Sequence, residues 1–191
     1  MRPVDFPLEI ILNEDQIRER VIELGVKITR DYSNSDLVAI GTLKGSLIFF
    51  ADLIRHINIP IATDFISMSS YNGNMKSSGK VKIINDISIP VKDKDLLLVE
   101  DIIDTGATSK FIFDHLISKY PISLKICSLL NKKSTRAPGY EINIDYSGFD
   151  VPDKFLIGYG LDYNEKYRNL PYVAAVEQNN LYSNNKDLRQ T

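Results

Sequence analysis

Apolar residues fall into two patterns along this chain: three-to-four-residue spacing in some stretches, short unbroken runs in others. The first marks amphipathic helices and the second strands covered on both faces. Ile17, Val21, Leu24 and Ile28 share one face of a helix predicted over 14–30, and Asn13 with Gln16 forms a capping-box pattern at its start. A strand is predicted over 37–41, a mostly apolar helix over 46–57 and a strand over 61–68. The stretch 69–79 is polar, contains glycine and has no period, so it reads as a loop. Strands near 80–85 and 95–99, a helix near 106–119 and strands over 123–130, 155–158 and 172–176 complete the pattern. Such alternation predicts an α/β fold, a mostly parallel central sheet with helices on both faces. One domain is expected over 1–191, with 178–191, rich in Asn and charge, as a loosely held tail.

Ligands of such sheets sit at the carboxyl ends of the strands. The run Leu96-Leu97-Leu98-Val99 ends there in Glu100 and Asp101; Asp104, Thr105, Gly106, Ala107 and Thr108 follow. Adjacent acids after so apolar a strand can hold sugar hydroxyls or a metal, although a solvated turn is the plainer reading. Asp104 to Thr108 has the composition of a helix N-cap, and the exposed N–H groups of such a start also attract phosphate. Together these features suggest a site for a phosphorylated sugar.

Composition narrows the classes. The chain has 191 residues with 23 basic and 25 acidic side chains, a net charge of -2, so no basic field recruits nucleic acid. No apolar run approaches the roughly 20 residues of a membrane span, and no signal-peptide core is seen at the start, so a cytoplasmic protein is expected. The single cysteine, Cys127, lies in an apolar run and reads as a buried structural thiol. His56 and His115 fall in helical stretches and read as structural or surface residues. No spaced Cys/His set, Gly-x-Ser-x-Gly or Walker-type loop is present.

Residues 99–108 resemble the phosphoribosyl pyrophosphate (PRPP) signature of the type I phosphoribosyltransferases. Four further segments narrow the resemblance to the hypoxanthine-guanine branch: Leu43-Lys44-Gly45-Ser46, Ser69-Ser70-Tyr71 with Ser77-Ser78-Gly79, Leu129-Leu130-Asn131-Lys132, and 151–165 with its Pro152-Asp153-Lys154-Phe155 and Asp162-Tyr163-Asn164-Glu165. The resemblance implies the type I fold with a small purine-binding hood and transfer of the 5-phosphoribosyl group of PRPP to a 6-oxopurine. Its implied roles follow the matching positions. Glu100 and Asp101 would bind the ribose hydroxyls and, through them or water, Mg2+. The 5-phosphate would sit on Asp104, Thr105, Gly106, Ala107 and Thr108, with Asp104 as general base for the purine N7 proton. Pyrophosphate would meet Lys44, Gly45, Ser70, Tyr71 and Arg168, in a loop that often has a cis peptide at the Leu43–Lys44 position and under a mobile flap over 69–80. Lys132, Phe155, Leu156 and Asp162 would hold the purine, with Asp162 also a Mg2+ ligand. A homodimer or homotetramer is implied as well.

Each position also has a plainer reading: Lys44, Lys132 and Lys133 as solvated strand ends, 69–80 as a simple connection, Phe155 as core. Two alternatives stay open from the residues. One is a phosphoribosyltransferase for another base, such as xanthine, adenine or a pyrimidine. The other is a non-catalytic PRPP-binding regulator.

Overall fold

The computed structural model describes residues 7–70 and 81–177. Its strands are β1 (Leu8–Leu12), β2 (Leu37–Leu43), β3 (Ile61–Ser70), β4 (Val81–Asn85), β5 (Asp95–Ile103), β6 (Ser123–Asn131), β7 (Tyr146–Asp150), β8 (Phe155–Ile157) and β9 (Val173–Val176). The helices are α1 (Glu14–Asp31), α2 (Leu47–Ile54) and α3 (Ala107–Ile117). Six strands form the central sheet in the order β4-β3-β2-β5-β6-β7, parallel throughout except for the β3–β4 edge pair. The remaining three make a small antiparallel sheet, β1-β9-β8, separate from the central one.

The unbroken apolar strands are explained by helices on both faces. Leu37, Ala39, Leu97, Val99, Cys127 and Leu129 pack with α1 and α2, while Val38, Ile40, Leu96, Leu98 and Ile126 pack with Ile112 and Leu116 of α3. Burying each such side chain is worth about 1.5–3 kcal/mol, so these layers fix the sheet. Cys127 is fully buried, and desolvation pushes its thiol pKa far up, as suits an inert core residue. The capping box starts α1: Asn13 Oδ1 accepts from Gln16 N and Gln16 Oε1 from Asn13 N, both at 2.9 Å.

Several elements differ from the sequence pattern. Helix α2 stops at Ile54 although the apolar pattern runs to Ile57. His56 and Ile57 N–H turn back to Leu53 and Ile54 in tighter bonds, while Ile57 stays in the core. Strands β1 and β7 have no counterpart among the elements read from the sequence. In β7, Gly148 lets the backbone approach β6 closely: a Cβ there would lie 2.2 Å from Leu129 O.

The consequential difference is in β5, which runs past the expected 99 to Ile103. Its β6 partner continues beside it, pairing Glu100 with Ser128 and Ile103 with Asn131, while pairing with β2 ends at Gly41–Val99. Strand β2 then leads into α2 on one face and β5 into α3 on the other. The chain thus opens a crevice between the two strands at a switch in sheet direction.

Candidate active site

A cleft of about 370 Å³ fills that crevice. Thr42, Leu43 and Gly45 line it from the end of β2 and the turn after it, Glu100 and Asp101 from β5, and Asp104, Thr105, Gly106, Thr108 and Ser109 from the turn after β5 and the start of α3. Asp162 and Arg168 close it from the loop after β8.

The two adjacent acids are not a solvated turn. Glu100 is buried, with Ser109 Oγ donating to its Oε1 at 3.0 Å and Thr42 Oγ1 in short contact with its Oε2. The Thr42 hydroxyl also faces Val99 O at 3.0 Å, and its single proton cannot serve both acceptors. A protonated Glu100 resolves the geometry by donating to Thr42 Oγ1 while Thr42 donates to Val99 O. Burial, reinforced by Asp101, pushes the Glu100 pKa up to about 8, and so favours that proton at neutral pH. Asp101 is pushed up to about 6, again chiefly by burial. The Ile102 N–H and Arg168 pull it down, and Asp162 pushes it up. Its carboxylate packs on Gly45, where a Cβ would lie 1.7 Å from Oδ2.

The turn after β5 also departs from expectation. Gly106 is the α3 N-cap, in the left-handed region at φ 88, and no side chain caps the helix. Neither Asp104 nor Thr105 takes the cap because the left-handed bend at Gly106 brings the helix start one residue past them. Thr105 and Thr108 remain exposed; the Ala107 N–H donates to Thr105 Oγ1 at 3.4 Å, and the N–H groups that follow it in the first turn of α3 are available to an anion. The Asp104 carboxylate instead meets Lys132: Nζ lies 3.2 Å from Asp104 Oδ2 and 3.7 Å from Asp153 Oδ1. The solvated-end reading of Lys132 fails, since its side chain is only 9% exposed. Lys133 is the exposed one and pairs with Asp150 at 2.7 Å.

Phe155 begins β8, is 40% exposed, and meets Tyr163 edge-on at 5.8 Å between ring centroids. Leu156 is buried, and among the described residues β8 pairs with β9 on one side only, leaving its other edge open there. The loop from Gly158 to Arg168 is held in an unusual shape, with Gly158, Tyr159, Gly160, Asn164, Glu165 and Tyr167 all at positive φ. Such non-glycine residues persist only where the surroundings hold them. The Tyr159 hydroxyl donates to Asp52 of α2 at 2.7 Å, and Arg168 Nη1 donates to Gly160 O at 2.7 Å. The shape brings Gly160 against Gly45 O, and sets Asp162 beside Arg168 at 2.8 Å. Exposed Lys44 pairs with Glu165 at 2.8 Å, and the Leu43–Lys44 peptide is cis.

One cleft thus brings together Gly45, Glu100, Asp101, Asp104, Thr105, Gly106, Thr108, Asp162 and Arg168, with Lys132 joined to it through Asp104; Ala107 opens α3 beside it without lining it. Lys44 points to Glu165 at the rim. Ser70 ends β3, but its side chain and all of Tyr71 to Lys80 lie outside the described residues, as does 178–191. Thr42, Ser109, Asp153, Asn131, Glu165 and Arg136 were not singled out from sequence. Only Asp153, Asn131 and Glu165, lying within the resembling segments, carried a signal that could have found them.

Comparison with known proteins supplies the remaining evidence. The family model described as phosphoribosyl transferase domain matches residues 8–164. The hypoxanthine-guanine phosphoribosyltransferase of Bacillus subtilis is 44% identical over 88% of this chain and 93% of its own. That of Aquifex aeolicus is 47% identical over 89% and 95%. Among solved structures, a hypoxanthine phosphoribosyltransferase from Staphylococcus aureus superposes with a TM-score of 0.85 at 43% identity, covering 92% of this chain and 94% of its own. One from Trypanosoma cruzi gives 0.87 at 34%, covering 98% and 100%.

Proposed function

This chain belongs to the phosphoribosyl transferase domain family, and from that premise we propose how its site works: it transfers the 5-phosphoribosyl group of PRPP to hypoxanthine or guanine, giving IMP or GMP and pyrophosphate in purine salvage. The observation that carries this reading is the Lys132–Asp104 pair, which joins a buried cation to an acid at the mouth of a phosphate-binding turn. An ammonium has donors and no acceptor, so Lys132 suits a purine 6-oxo oxygen and disfavours the amino group of adenine. Phe155 offers a ring face for the base, and the free edge of β8 at Leu156 offers backbone groups to its exocyclic edge.

The 5-phosphate sits on the N–H groups from Thr105 to Thr108 and the two threonine hydroxyls. Pyrophosphate lies between the Gly45 backbone, Lys44 and Arg168; the resemblance also assigns it Ser70 and Tyr71, whose side chains lie outside the described residues. As the C1–O bond to pyrophosphate breaks, positive charge develops on the ribosyl carbon. Asp101 and Asp162 supply compensating negative charge. Purine N9 bonds to C1, and the proton on N7 passes to the Asp104 carboxylate, which Lys132 orients from 3.2 Å.

The donor set fits Mg2+. Asp162 lies beside Asp101 in the cleft, and Glu100 backs it. An ion that keeps several waters and takes substrate phosphate oxygens needs only one or two carboxylates. Asp162 would bind it directly, Glu100 and Asp101 through ribose hydroxyls or water, and it would neutralise the departing pyrophosphate. A homodimer or homotetramer in the cytoplasm completes the reading; the Trypanosoma cruzi structure addresses the oligomeric state of that relative.

Steady-state assays with hypoxanthine, guanine, xanthine and adenine test the proposal. Turnover of hypoxanthine or guanine with PRPP, and weak use of adenine, is expected. Efficient use of adenine, or of none of the oxopurines, would sink it.

A further inference from the structure

We infer that Arg136 is a positioning residue for the Asp104 turn, holding its peptides so that their N–H groups face the cleft while the Asp104 carboxylate faces Lys132. The inference rests on the proposed reading of that turn as the phosphate site.

Three consecutive carbonyls leave the end of β5, and all three are held from one side. Ile103 O accepts from Lys132 N at 3.0 Å and Thr105 O from Ala137 N at 3.1 Å. Between them, Asp104 O accepts from Arg136 Nη1 at 2.6 Å, the only one of the three held by a side chain. A trans peptide is planar, with its N–H opposite its carbonyl. Drawing the three oxygens toward 132–137 therefore turns the N–H groups of Asp104, Thr105 and Gly106 the other way, to the side left open where β2 parts from β5.

Arg136 is itself oriented from the far side of the sheet. Its Nη2 donates to Asn131 Oδ1 at 2.5 Å, and Asn131 Nδ2 donates to Asp150 Oδ1 at 2.9 Å. The rigid fork of a guanidinium spans both acceptors, which one ammonium cannot do at the same geometry. The side chain is half-buried and lines a separate cavity of about 500 Å³ beside β7. Its place is behind the turn, with no reach to the reacting atoms. A charged donor on a single peptide oxygen is a stronger hold than a neutral one, and here it sits on the peptide of the residue assigned the proton.

Arg136→Gln and Arg136→Lys in the full chain test this, read by steady-state kinetics with PRPP and hypoxanthine, by calorimetry with ribose 5-phosphate, and by thermal unfolding. Both variants should raise the PRPP KM and the ribose 5-phosphate Kd at least tenfold and lower kcat, with Lys giving no rescue. In Arg136→Ala, ethylguanidinium should restore part of the lost affinity. A damaged fold alone would lower kcat at unchanged KM. That result, or wild-type KM and Kd in Arg136→Gln, overturns the inference. Should Arg136→Gln not fold, Asn131→Ala frees one end of the guanidinium and should raise the same Kd at least threefold; an unchanged Kd there overturns it too. The ribose 5-phosphate measurement needs no purine, so it judges Arg136 even if the wild-type protein fails to turn over hypoxanthine, a failure that counts against the proposed function instead.

Discussion

Replacing Gly45 with alanine probes the tightest contact in the cleft. The added methyl would lie 1.7 Å from Asp101 Oδ2 and 2.6 Å from its Cγ, where ordinary contact begins near 3.4 Å. Relieving the overlap of about 1.7 Å means turning the Asp101 carboxylate away from Gly45 and from the Ile102 N–H. Asp101 is anchored in β5 beside Glu100, and Gly45 is blocked behind, because its carbonyl lies 2.1 Å from where a Cβ on Gly160 would stand. Overpacking of this kind costs about 1–3 kcal/mol. For a chain of this size that lowers Tm by roughly 2–12 °C and leaves the protein folded. Function should suffer more, because a displacement of about 1 Å at a reacting site can cost on the order of 10²-fold. With Asp101 assigned to the ribose and pyrophosphate side, kcat/KM for PRPP should fall about 10²-fold while KM for hypoxanthine changes little. Gly139→Ala is the control. Gly139, unlike Gly45, has positive φ, but it has no neighbour within 4 Å of its would-be Cβ, so only the left-handed penalty of about 1–2 kcal/mol applies, with activity unchanged. Gly45→Ala with wild-type kcat/KM for PRPP would refute the reasoning.

Three further changes bear on the acids and the buried cation. Glu100 has a folded pKa of about 8 against an ordinary 4.5. The unfolded chain therefore loses this proton first, and stability contributed at Glu100 falls as pH rises from about 4.5 to 8. Glu100→Gln, which keeps both hydrogen bonds of the protonated acid, should gain on wild type across that window, with a ceiling on the order of 5 kcal/mol; parallel urea curves for the two proteins between pH 5 and 8 would contradict this. Asp104→Asn should lower kcat by about 10²–10⁴-fold and leave the calorimetric Kd for PRPP within a few-fold, and equal losses in both would argue against a base. Lys132→Met removes a charged donor, worth about 1.5–3 kcal/mol, so the hypoxanthine KM should rise by roughly 10–150-fold and preference over adenine should shrink. An unchanged preference would detach Lys132 from the 6-oxo group.

How much of this could be read from sequence depends on how local each signal is. Strands β2, β5 and β6 announce themselves because both faces are covered, and α1 because its capping box spans only Asn13 to Gln16. The segment from Glu100 to Thr108 was legible for the same reason, since its acids and hydroxyls are neighbours in the chain. Strand β1 gave no helix or strand period across Leu8–Leu12, and β7, with Ser147, Gly148 and Asp150, has the composition of a loop. The hidden site residues act at a distance. Arg136 reaches Asp104 across 32 residues, and Thr42 reaches Glu100 across 58. Any donor brought to the same place by the sheet would serve, so no spacing rule selects them. Local sequence therefore names candidate groups, while the fold decides their burial and aim. Glu100 reads as an acid at a solvated turn, yet it is buried against the hydroxyls of Thr42 and Ser109, because β6 continues beside it after β2 has turned away.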